Sequence, residues 1–159
     1  MTIRGYQPDD AAAVARIFTE SVRSTAARDY SPEQIDAWAP DPPEVRDWHR
    51  RLDGVITFIA EQGSEVAGFI TFEPDGRLAY LYVGHRFQRQ GMARALCGRV
   101  EEEARARGVG RIFAEASITA RPFFESAGFR AITEQWVDFR GVSFKNYRME
   151  KFLSKPSES

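Results

Sequence analysis

The stretch RFQRQGMARAL, residues 86–96, holds three arginines, two glutamines and one glycine, and no acid. The pattern reaches further. From Gly76 to Val100 there are five arginines (77, 86, 89, 94 and 99) and no Asp or Glu. The chain as a whole carries a formal net charge of −1, so this positive charge is local. A solvated basic helix face is one reading of it; an anion site is the other. Three features favour the anion site: the stretch follows a β-rich run, it opens a helical pattern, and Gly91 stands where backbone amides would approach a ligand closely. The N–H groups of a first helical turn are unpaired and sit at the positive end of the helix dipole, which together bind phosphate. Glycine at 91 removes a Cβ from that approach, and Ala93 keeps the first turn small. Two familiar phosphate loops do not fit. There is no GxxxxGK[ST], and Gly91-Met92-Ala93 is too short for the dinucleotide fingerprint.

Other reactive residue types are sparse. A single cysteine, Cys97, excludes an internal disulfide, and with only two histidines no structural metal site is expected. Cys97 falls within a helical pattern and reads as a core residue, His85 as a turn residue and His49 as solvated. No apolar run approaches the roughly 20 residues of a membrane span, and the N-terminus MTIRGYQPDD has no signal-peptide pattern. The expectation is a cytoplasmic protein without membrane or nucleic-acid partners. Its 159 residues suffice for one domain with a real core, spanning 1–153. The tail from 154 to 159 has nothing to bury and is expected to be disordered.

The elements that must position the basic loop follow from periodicity. Residues 2–7 alternate weakly as a strand. A helix follows Pro8, with Asp9 and Asp10 at its start and Val14, Ile17, Phe18 and Val22 on one face. Ser31, Pro32 and Glu33 start a short second helix, which Pro40, Pro42 and Pro43 break. PEVRDWHRRL reads as a third. Runs at 55–61, 65–73 and 77–83 are β-rich, with turns at 62–64 and 74–76, and predict an antiparallel meander. A helix over 91–107 buries Met92, Leu96 and Val100 and closes at Gly108 and Gly110. RIFAEAS is the fifth strand. TARPFFESA is a short helix, capped by Thr119 or Ser117 and ended by Gly128, and two strands complete the chain.

At this point the residues resemble a family. Gln88-Arg89-Gln90-Gly91-Met92-Ala93 is similar to the [QR]-x-x-G-x-[GA] pyrophosphate loop of the GNAT superfamily of acetyltransferases. The preceding LYVGHRF looks like that family's LYV-x-P-x-[FY] approach to the loop, and FFESAGF (123–129) resembles its FYEKxGF segment. The order of elements follows the family order to about residue 152. The resemblance implies a mixed α/β fold: a mostly antiparallel twisted sheet of about seven strands flanked by helices. It implies acetyl-CoA as cofactor, with no metal. It assigns the pyrophosphate to Gln88, Arg89, Gln90, Gly91, Met92, Ala93 and Arg94. The pantetheine arm falls to the backbone of Leu81, Tyr82 and Val83, one N–H of which polarises the thioester carbonyl. Ser117 stands where the family often has an Asn toward the cofactor.

Two positions depart from the pattern. Phe124 replaces the family's usual acid, the Tyr of FYE, and remains only a cofactor contact. Arg77 stands where many members carry a basic Glu. A thiol leaving group with a pKa of about 8.5 needs little help at neutral pH, whereas an alkylammonium must lose a proton before it can attack. Candidate bases are Glu73 and Glu115; Glu115 shares strand parity with Ser117 and so points to the same side. Tyr147 is a candidate substitute acid. On the acceptor side the segment 27–40 offers Tyr30 and Trp38. The resulting expectation is an enzyme that moves acetyl from acetyl-CoA to a primary amine of a small molecule or peptide, as a monomer or homodimer. A non-catalytic acyl-CoA-binding domain is the alternative.

Overall fold

The computed structural model describes residues 1–154. The tail expected to be disordered lies, apart from Ser154, outside the described residues. The elements run β1 (Thr2–Gly5), α1 (Ala11–Thr25), α2 (Pro32–Trp38), α3 (Val45–Leu52), β2 (Ile56–Gln62), β3 (Glu65–Phe72), β4 (Leu81–Val83), α4 (Met92–Ala106), β5 (Arg111–Ser117), α5 (Arg121–Ser126), β6 (Arg130–Phe139) and β7 (Val142–Phe152). Every strand neighbour is antiparallel.

The seven strands form two sheets, ordered β1-β2-β3-β4 and β5-β7-β6, where the sequence predicts one. The division falls inside the run 77–83. Only Leu81–Val83 pair with β3. Upstream, the Tyr80 N–H donates to the Thr71 hydroxyl at 3.0 Å instead of to a main-chain carbonyl, so the strand peels from its ladder. The chain before it leans on the other sheet: Arg77 bridges to Phe113 in parallel, and the Leu78 N–H donates to the Phe113 carbonyl at 2.8 Å. The sheets therefore touch at residues 76–78 and open beyond them, leaving a cleft between β4 and the end of β5.

Apolar side chains on both faces hold this frame. Phe58, Ile70, Phe72, Leu96, Val100, Ile112 and Met149 pack under α4 and α5, while Val14, Ile17, Phe18, Trp48, Ile59 and Phe69 pack under α1, α2 and α3. Successive residues such as Phe69 and Ile70 serve opposite cores, which is why β2 and β3 read as continuous apolar runs and not as alternation. Expected helix signals hold. Ser31 and Gln34 cap α2 reciprocally, the Gln34 N–H donating to Ser31 Oγ at 3.1 Å and the Ser31 N–H to Gln34 Oε1 at 2.8 Å. At α5 the choice between caps resolves to Ser117, whose Oγ accepts from the Ala120 N–H at 3.0 Å. The Thr119 hydroxyl instead donates to Asp29 at 2.7 Å. Cys97 is buried, and burial pushes its thiol up to about 12, so it packs as a core residue.

Candidate active site

The basic loop forms one wall of the cleft. Arg89 takes a left-handed conformation (φ 63°), and so does Gly91 (φ 81°), the N-cap of α4. A Cβ built at Gly91 meets nothing within 4 Å, so glycine is needed there for its backbone angle and for the open space it leaves, not to relieve a protein contact. No side chain caps α4, and its first internal bond runs from the Ala95 N–H to the Gly91 carbonyl at 3.0 Å. The N–H groups of Met92, Ala93 and Arg94 thus have no intrahelical acceptor. Gln88 pins the loop, its Nε2 donating to Thr25 Oγ1 at 3.3 Å and to the Val83 carbonyl at 3.4 Å.

A cavity of about 550 Å³ lies against this loop. Arg28, Arg89 and Arg94 line it and no acid does. Leu81, Tyr82, Val83, Gln88, Gly91, Met92, Ala93, Ser117 and Phe124 also line it. Gln90 does not; its side chain turns back to the Arg86 carbonyl at 3.3 Å. Contributions from α1 and the turn after it had no sequence signal: Ser21 and Thr25 of α1 join through its packing across β4, and Arg28 follows from the turn.

Strand parity fixes what β4 offers. The Gly84 N–H bonds to the Ala67 carbonyl and the Thr71 N–H to the Tyr80 carbonyl, so even-numbered residues of this strand face β3. Leu81 and Val83 turn their N–H and C=O groups the other way, into the cleft. The Val83 carbonyl is already engaged by the Ser21 hydroxyl at 3.0 Å.

A second cavity, of about 480 Å³, continues from the first. Trp38, Leu81, Tyr82, Ser117, Ala120 and Phe124 line both. This half is walled by aromatic rings, among them Phe18, Tyr30, Tyr80 and Phe144, and carries charges of both signs: Arg51, Arg77, Glu115 and Asp138. Tyr30 is also a brace. Its hydroxyl donates to the Lys145 carbonyl at 2.8 Å and accepts from the Ile118 N–H at 2.9 Å, tying the α1–α2 connection to the second sheet. Burial raises the phenol of Tyr30, and that of Tyr82 well above the ordinary tyrosine value, so both are neutral donors at physiological pH.

The candidate proton-transfer residues separate. Glu115 is exposed at the second cavity and shares its strand face with Ser117. Glu73 does not line the cleft and lies 3.7 Å from Arg77. Tyr147 corrects the sequence reading. It pairs with Ala116, not with Glu115 or Ser117, and so occupies the opposite face of the sheet. There Arg121 lies over its ring at 4.3 Å, and it lines neither cavity. The residue of β7 that does reach the cleft is its neighbour Asn146, the register partner of Ser117. Phe124 is buried against Phe129, with ring centroids 5.0 Å apart. Among the described residues no group of three or more His, Cys, Asp or Glu could hold a metal ion, and no helix is long and apolar enough to cross a membrane.

Comparison with known proteins identifies the family. The profile of the acetyltransferase (GNAT) domain matches residues 26–151. The chain is 35% identical over 147 residues to the N-acetyltransferase YafP of Escherichia coli K12, covering 92% of this chain and 93% of that protein. The crystal structure of a GCN5-related N-acetyltransferase from Rhodopseudomonas palustris superposes with a TM-score of 0.90 at 33% identity, covering 96% of this chain and 95% of that one. A more distant fold relative is the yncA protein of Salmonella typhimurium, solved with acetyl-CoA (TM-score 0.68, 22% identity, 100% and 97% covered). With a domain profile over most of its length and a relative this similar across nearly all of it, the chain belongs to the GNAT family of acetyltransferases.

Proposed function

We propose that residues 1–153 act as one catalytic domain that transfers acetyl from acetyl-CoA directly to a primary amine. The observation that carries this reading is the join between two unlike cavities: a basic, acid-free one at the start of α4 and an aromatic one holding Glu115, with Leu81, Ser117 and Phe124 on the wall they share. The residues of the first cavity fit a pyrophosphate. They offer unpaired helix-start amides, left-handed backbone at Arg89 and Gly91, and three arginines. Bound there, acetyl-CoA supplies an acetyl group already activated as a thioester.

The protein's own part is positioning and proton handling. The Leu81 N–H faces the cleft where the two cavities meet, placed to donate to negative charge on the carbonyl oxygen as the amine adds. An alkylammonium has a pKa of about 10, so most of an amine acceptor arrives protonated. Glu115 accepts that proton, directly or through a water; the C–N bond forms, the C–S bond breaks, and the leaving thiolate of CoA takes up the second proton that the nitrogen gives up as it becomes an amide. Phe124 donates no proton, which suits a leaving group whose pKa of about 8.5 lets it depart as a thiolate without a general acid. Amine-dependent release of free CoA thiol, with the N-acetylated product identified by mass spectrometry, tests the reading. Saturable acetyl-CoA binding with no release across a broad amine panel would instead favour a binding domain, a result for which Phe124 and Arg77 at the usual acid and base positions would be the explanation.

A further inference from the structure

Of the four charged residues in the aromatic cavity, Arg77 lies 3.7 Å from Glu73, Asp138 accepts from the Ser143 hydroxyl at 2.6 Å, and Glu115 is the proton acceptor proposed above. Arg51 differs. It is the next-to-last residue of α3 and is half-buried, and among the described residues its guanidinium has no hydrogen-bond or ion-pair partner. Its neighbour Arg50 takes Asp47. The guanidinium carbon sits 4.8 Å from the Trp48 ring centroid and 5.9 Å from that of Phe18. Glu44 and Asp47 share an adjoining crevice with Arg51, and neither forms an ion pair with it; Asp47 pairs with Arg50.

Stacking on an aromatic ring fixes the plane of a guanidinium and leaves its edge donors free. A half-buried arginine with unused donors is costly unless something accepts from it. The ligand that matches a planar fork is a carboxylate, held by two parallel N–H···O bonds. The cavity that Arg51 and Glu115 share is also walled by the rings of Phe18, Tyr80, Tyr82 and Phe144. A cavity of about 480 Å³ suits a small molecule. A polyamine would meet two arginines and has no group for either.

We propose that the acceptor is a small amino carboxylate with an apolar or aromatic body, its carboxylate seated on Arg51 and its amine directed to the Glu115 end of the cavity. This rests on the acetyl-transfer reading above, and the product is the N-acetylated acid plus free CoA thiol, with no further reactant.

The test compares each amino acid of a panel (phenylalanine, tyrosine, leucine, methionine) with its decarboxylated amine, for wild type, Arg51→Met and Arg51→Lys. At least one acid should exceed its amine in kcat/KM by about tenfold or more in wild type, through KM. That ratio should collapse toward one in Arg51→Met and be intermediate in Arg51→Lys, which keeps the charge and loses the fork. Equal wild-type rates for every acid and its amine, or a ratio that survives Arg51→Met, overturns the proposal. Binding of N-acetylated acids in the presence of CoA, read by tryptophan fluorescence, separates this from the failure of the catalytic reading. Arg51-dependent binding without turnover upholds the carboxylate seat and rejects catalysis at that site; absence of Arg51-dependent binding rejects the seat.

Discussion

The two halves of the cleft share a wall and differ in almost everything else. The half against the α4 loop is built from backbone: helix-start amides, two left-handed residues and the outward N–H groups of β4, with three arginines and no acid around them. The half beyond Leu81 and Ser117 is built from side chains that five elements bring together: Phe18 from α1, Arg51 from α3, Glu115 from β5, Val137 from β6 and Phe144 from β7. Backbone groups aimed at a pyrophosphate depend on one local conformation and bind any molecule with that feature. Side chains converging from distant segments can change one at a time without disturbing the frame. On the proposed reading the first half holds the cofactor, and the second receives the acceptor and its proton.

This division makes distinct variants fail in distinct ways. Leu81→Pro deletes a main-chain N–H that faces the cleft and takes no part in the ladder, so β4 can keep its pairing. It should lower kcat by about 10²–10³-fold, with circular dichroism confirming the fold; near-wild-type kcat would remove the oxyanion role from this strand. Glu115→Gln belongs to the acceptor half alone. It should lower kcat by at least about tenfold while leaving acetyl-CoA affinity within about twofold. A matching loss of acetyl-CoA affinity would blur the boundary between halves, and undiminished turnover would move proton acceptance to water. Phe124→Leu alters the shared wall by packing only. A fall of a few-fold at most is expected, with the shape of the pH–rate profile preserved; loss of a titrating limb would contradict the account of that position. The smallest effect lies outside both halves. Asp10 is held below its ordinary value of 3.8 chiefly by its hydrogen bonds to Arg4. A depressed carboxyl stabilises the fold at neutral pH, and that share is lost as pH falls below about 3.8 through the folded value. Asp10→Asn should therefore lower Tm at pH 7 by about 2–4 °C and shrink the gap to wild type in acid. An equal gap at pH 7 and pH 3 would contradict it.

The same contrast explains what could be read from the sequence. The loop was legible because its features are consecutive: Gln88 to Arg94 carry the glycine, the charge and the helix start in one stretch. The helix signals at Ser31 and Gly108 are local in the same way. The split between the sheets was not legible, because it depends on Thr71 capturing the Tyr80 amide and on Phe113 pairing across to Leu78, contacts between segments with no common pattern. Parity takes Tyr147 away from the cleft. A one-residue difference in register sends a side chain to the opposite face, so Asn146 meets Ser117 while Tyr147 goes under α5. Arg51 sat unnoticed in DWHRRL, one of three basic residues in a row's reach, and only the packing of α3 against α1 distinguishes it from Arg50.

Calorimetric titration of acetyl-CoA into wild type and Gly91→Glu tests the central claim most directly. Glutamate at 91 puts a negative charge among the α4 amides and a side chain at a φ of 81°. Wild type should bind saturably, and the variant, shown folded by circular dichroism, should lose at least about a hundredfold in affinity, equivalent to about 2.7 kcal/mol. Equal affinity in a folded Gly91→Glu protein would contradict the placement of the pyrophosphate, and with it the assignment of the two halves.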